Sequence, residues 1–136
     1  MTKQQDFSMW SVNFILFCLA NFLYYGAFYL YIPVLPQYVE MLGGTPADIG
    51  LVGGAFGLSS FIIRPYLGKL ANEWGRKRMM LLGAISFALL FLLFGRVTGV
   101  VPLVVLRLAH GVCLAMYLAA SAAYIADYAP VDRRGE

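Results

Sequence analysis

Charge is scarce in this chain. Of its 136 residues only 12% are Asp, Glu, Lys or Arg, about half the share of a water-soluble domain, while 61% are hydrophobic. It holds a single histidine and two cysteines, so His and Cys alone cannot supply the four protein ligands of a structural zinc site. Cys18 and Cys113 lie inside apolar runs, where a thiol acts as a small apolar side chain and no disulfide is expected. A glycine-rich phosphate loop and a nucleophile elbow are both missing, so the chain is not expected to be an enzyme or to hold a cofactor. The net charge of +3 is not gathered on a basic, water-facing body, which argues against a nucleic-acid partner. Internal repeats and low-complexity segments are absent, and the first apolar run is too long for a removable signal peptide.

What is present is apolar sequence in four blocks, over residues 9–32, 47–67, 79–94 and 102–128. A helix needs roughly 20 mainly apolar residues to cross the hydrocarbon core, so the expected class is an all-α integral membrane protein. Asn13, Asn21 and Tyr24 recur at helical spacing in the first block, either as contacts between helices or as the lining of a wet cavity. Pro33 and Pro36 are expected to close that helix, leaving 37–48 as an outer loop. Thr45 followed by Pro46 reads as the start of the second helix. Gly50, Gly53, Gly54 and Gly57 form two overlapping small-residue pairs, a face expected to let another helix approach closely. Arg64 reads as a snorkelling cation or as half of a gate ion pair. The third block is apolar all round and is expected to meet lipid. In the fourth, Arg107, His110, Leu114, Tyr117, Ser121 and Tyr124 step by three or four onto one stripe, with Leu, Val and Ala opposite. An arginine about 7–8 Å below Pro102, at 1.5 Å per residue, needs water or a carboxylate.

The most charged window, residues 68–78, separates the second and third blocks. With alternating spans, Lys3, Lys69, Arg76, Lys77, Arg78, Arg133 and Arg134 all fall on one side and only Arg96 opposite. That asymmetry predicts a cytoplasmic N-terminus. Residues 68–78 also carry a resemblance. Gly68, Gly75 and the cations Arg76, Lys77 and Arg78 match the loop after the second helix of major facilitator superfamily transporters. That loop's usual aspartate is Asn72 here, and the next position, usually basic, is Glu73. Arg107-Leu108-Ala109-His110-Gly111 resembles the family's fourth-helix pattern, with His110 where glutamine is usual. Pro130, Arg134 and Gly135 resemble the loop that follows, and the Pro33/Pro36 pair resembles the first-helix ending of twelve-helix drug–proton antiporters.

The resemblance implies helices one to four of a six-helix N-terminal bundle, with 1–136 a partial N-terminal domain. The chain's end after the fourth block reads as that of a fragment. By the same resemblance, the function expected is secondary active transport of a small organic solute by alternating access: proton-coupled efflux across the cell membrane. The proton would be the coupling ion. Its partners would be the bilayer, the solute and the remainder of the transporter. Cavity and coupling residues would be Asn21, Tyr24, Arg107, His110, Tyr117 and Tyr124, with Gly68, Asn72, Glu73, Gly75, Arg76, Lys77 and Arg78 as a cytoplasmic latch. The alternatives are a truncated membrane protein that moves nothing, and an uptake symporter or uniporter of the same family. A self-contained four-helix exporter would need an acidic residue in the first helix, and none lies between Asp6 and Glu40.

Overall fold

A computed structural model describes residues 12–128, and among these every regular element is helical. Helix α1 spans Val12–Tyr31, a 3-10 turn covers Ile32–Val34, and α2 spans Leu35–Met41. Helices α3 (Pro46–Trp74), α4 (Arg76–Leu93) and α5 (Val100–Tyr128) complete the order, with a second 3-10 turn at Phe94–Arg96. Four helical stretches are long and apolar enough to cross a membrane: Val12–Met41, Pro46–Trp74, Arg76–Arg96 and Val100–Ala126. The sequence analysis and the fold agree on their number and order. The N-terminal tail with Lys3, and the last turn with Pro130, Arg133, Arg134 and Gly135, lie outside the described residues.

Element ends differ from expectation at two places. The proline pair does not end the first helical path, because Pro33 and Pro36 each fall in the first turn of a new short helix. In a first turn the missing N–H has no intrahelical acceptor to lose, so the chain winds on to Met41. The outer link thus shrinks from residues 37–48 to the turn around Gly43, whose φ of +79° suits glycine. At the other end of the bundle, 68–78 is hardly a loop. Helix α3 runs on to Trp74, α4 starts at Arg76, and Gly75 alone joins them at φ +89°. Helix-forming Lys69, Leu70, Ala71 and Glu73 explain the extension, and a residue free to take positive φ allows the reversal.

The start of α3 is built as its sequence suggests. The Thr45 N–H donates to Asp48 Oδ2 at 2.7 Å and the Asp48 N–H donates to Thr45 Oγ1 at 3.4 Å, a reciprocal capping box with Pro46 behind it. Helix α5 is the hub, packing chiefly on α3 and α4, which barely touch each other. Contact is closest where glycine removes a side chain. A Cβ on Gly83 of α4 would stand 2.9 Å from the Tyr117 backbone nitrogen, and one on Gly111 of α5 would run into the Phe56 carbonyl oxygen of α3. At the end of the bundle away from Gly75, Leu35 and Val39 of α2 pack with Val52, Phe94 and Leu103, and the Tyr38 hydroxyl donates to the Phe94 carbonyl. Helix α4 buries Met79, Gly83 and Phe87 along one strip and leaves Leu81, Leu82, Ile85, Leu89 and Leu92 exposed. One side of α4 is committed to α5, and the other is exposed among the described residues.

Candidate functional site

Helical spacing puts the polar residues of α5 on one stripe, and packing turns that stripe inward. Arg107 is 3% exposed and His110 is 0% exposed. The Arg107 guanidinium lies 4.2 Å from the Phe56 ring centre and 5.7 Å from that of Tyr31. Such placement over ring faces offsets part of the cost of burying the charge. Arg107 Nε donates to the Val52 carbonyl at 3.4 Å, while one terminal nitrogen has no partner among the described residues. The described carboxylates Glu40, Asp48 and Glu73 sit at or near helix ends, so among the described side chains no acid reaches Arg107.

His110 occupies a cage of rings. It stacks on Phe87 at 3.9 Å and 26°, with Phe94 at 5.4 Å, Phe91 at 5.9 Å and Phe56 at 6.4 Å. Both of its ring nitrogens are buried and unpartnered among the described residues. The cage is assembled from α3, α4 and the 3-10 turn after it, so it exists only once α5 has packed. The periodicity of the fourth block found His110, but nothing in that block pointed to Phe87, Phe91 and Phe94 as its neighbours.

Farther down α5 the stripe meets α1. Tyr117 is 3% exposed and stacks on Tyr24 at 3.9 Å and 14°, and Tyr124 stacks on Phe17 at 5.1 Å. Both Tyr24 and Tyr117 have buried hydroxyls without partners among the described residues. Asn21 turns back on its own helix and donates from Nδ2 to the Phe17 carbonyl at 2.9 Å. A cleft of about 430 Å³ opens between α1 and α4, lined by Asn13, Phe17, Tyr24, Lys77 and Met80, with Tyr117 in its wall.

Of the charged window, Gly68, Asn72, Glu73, Lys77 and Arg78 are exposed, whereas Arg76 is half-buried and its guanidinium donates to the Ala123 carbonyl of α5. The reversal at Gly75 is thereby tied to the far end of the hub helix, a contact that sequence reasoning missed. A backbone carbonyl has two lone pairs, so the Ala123 oxygen can accept the guanidinium in addition to its ladder bond. A Cβ added to Gly50, Gly53, Gly54 or Gly57 would meet nothing within 4 Å among the described residues, while one on Gly83 or Gly111 would meet the backbone of the facing helix. Among the described residues no group of three or more His, Cys, Asp or Glu could hold a metal ion.

The described residues thus form a bundle of apolar helices with a buried arginine on the hub helix and a cation-rich reversal at one end. Residues 17–136 match the family model of the Major Facilitator Superfamily, and the chain belongs to that superfamily. It is 33% identical over 107 residues to the Multidrug resistance protein 2 of Bacillus subtilis, covering 79% of this chain and 27% of that protein. It is 35% identical over 107 residues to the Quinolone resistance protein NorA of Staphylococcus aureus, covering 79% of this chain and 28% of the relative. The chain thus spans just over a quarter of the length of these relatives.

Proposed function

We propose that the chain contributes four helices to a secondary active transporter that exports small organic solutes across the cell membrane, driven by protons. The observation that carries this reading is the likeness to two drug-resistance proteins from different genera, spread over most of the chain. The site geometry supports it. Arg107 is a charge held mid-helix without a carboxylate among the described residues, so an acid from the rest of the transporter, or an anionic solute group, can complete it. Stacked tyrosines on α1 and α5 give an apolar wall with hydroxyls to spare. The open glycine face of α3 is a smooth surface against which a moving half can rock. The reversal at Gly75, with Asn72, Glu73 and the cations beside it, serves as the cytoplasmic latch, and both chain ends lie in the cytoplasm.

Solute flux in proteoliposomes of the intact protein, with and without an imposed pH gradient, tests the reading. Arg107→Ala abolishes proton-driven accumulation but spares solute-for-solute exchange. His110→Gln keeps transport, because the imidazole is fully buried in a cage of rings and has no hydrogen-bond partner among the described residues. If the Arg107→Ala protein still concentrates solute when driven by pH, coupling does not run through Arg107.

A further inference from the structure

The cleft of about 430 Å³ between α1 and α4 is polar at one end and apolar along the rest of its length. Asn13 and Lys77, at the described starts of α1 and α4, line its polar end. Beyond them the walls are apolar, with Leu16 and Ala20 on α1 and Leu81 and Ala84 on α4. The stacked pair Tyr24 and Tyr117 closes the inner end. Tyr24 lies eleven residues from Asn13, about 16 Å along the helix. That depth is close to one leaflet, half of a hydrocarbon core about 30 Å thick. Leu16 and Leu81 are each more than half exposed, so among the described residues the cleft is open between the two helices.

The polar end is short of negative charge. Residues 68–78 hold Lys69, Arg76, Lys77 and Arg78 against Glu73 alone. Helix α4 opens with three of those cations, has no acid in its first turn and takes no side-chain cap at Gly75. The first N–H groups of a helix carry partial positive charge, so cations there repel and an anion is favoured. Arg76 is engaged with the Ala123 carbonyl of α5, whereas Lys77 is exposed and lines the cleft.

We propose that this cleft binds one anionic phospholipid, its phosphate held by Lys77 and the Asn13 amide and an acyl chain laid inward toward Tyr24 and Tyr117. The chemistry matches in order: ammonium and amide donors for the phosphate, then an apolar trough about one leaflet deep. A free phosphate would leave the trough empty, and a zwitterionic lipid would bring a cation of its own to Lys77. The topology reading puts this end in the cytoplasm, where the leaflet is rich in anionic lipids. The site itself goes beyond the transporter reading and does not depend on flux.

Native mass spectrometry of the intact protein in detergent, titrated with dioleoylphosphatidylglycerol, measures the affinity of the first lipid bound. Lys77→Gln lowers that affinity by about fivefold, the worth of one cation beside an anionic lipid. Arg78→Gln removes a neighbouring cation that does not line the cleft, and changes the affinity by less than about twofold. Ala20→Trp keeps every cation but displaces about two methylenes of the chain from the trough, a loss of about tenfold. Unchanged helicity by circular dichroism shows that each variant is folded. An equal loss in Lys77→Gln and Arg78→Gln means diffuse attraction to a basic surface and overturns the assignment. Unchanged affinity in Ala20→Trp also overturns it, as when a further helix of the transporter fills the trough or the phosphate alone is bound. Lipid affinity is read without flux, so the lipid site and the transporter reading fail separately.

Discussion

Gly111→Ala is the sharpest test of how these helices hold together. The added methyl would collide with the Phe56 carbonyl oxygen and Ser59 Oγ, and it would stand 3.2 Å from the Phe56 carbonyl carbon. Ser59 can rotate away, but the α3 backbone cannot yield without moving α3 off α5. Overpacking of this kind costs typically 1–3 kcal/mol, and a backbone obstacle argues for about 3 kcal/mol. Alanine recovers about 1 kcal/mol of helix propensity over glycine, so the net loss is about 2 kcal/mol. Gly57→Ala makes the comparison informative, because a Cβ there would meet nothing within 4 Å among the described residues and only the propensity gain of about 1 kcal/mol applies. The two variants should differ by about 3 kcal/mol, more than a hundredfold in the unfolding equilibrium constant. The assay is unfolding of the detergent-solubilised chain by sodium dodecyl sulfate, followed by far-ultraviolet circular dichroism. Equal stability of Gly111→Ala and Gly57→Ala would refute the packing argument.

Three further outcomes follow from the fold. Thr45→Ala removes the hydroxyl that caps α3 and should cost about 1 kcal/mol, read as a lower unfolding midpoint in the same assay. Cysteine placed at Gly43 should react with a membrane-impermeant maleimide from outside intact cells, and cysteine at Arg78 only after permeabilisation; the reverse pattern inverts the topology. Asn72→Asp adds a carboxylate beside the reversal at Gly75 and should increase crosslinking across the closed cytoplasmic gate of the intact protein, because an ionised acceptor makes stronger hydrogen bonds than an amide. Indistinguishable crosslinking in the two forms would remove residue 72 from the latch.

The sequence by itself determined the class, the number of spans and the stripe of α5. Those properties follow from local composition and from the helical repeat, neither of which depends on which elements meet. The helix start at Thr45 was equally legible, since capping is settled within a few residues. Even at short range some ends were misjudged, because a proline pair breaks a helix in its interior but is tolerated in a first turn, and sequence alone did not place those first turns. Tertiary structure decided the rest. Which glycines carry close contacts depends on the faces that oppose one another: Gly83 and Gly111 do so within the bundle, while a Cβ on Gly50, Gly53, Gly54 or Gly57 would meet nothing within 4 Å among the described residues. The aromatic cage around His110 and the hydrogen bond from Arg76 to Ala123, 47 residues away, arise from pairings between separate helices. A hydrophobic pattern tells each helix that it must bury a side, but only the packed bundle assigns that side its neighbours.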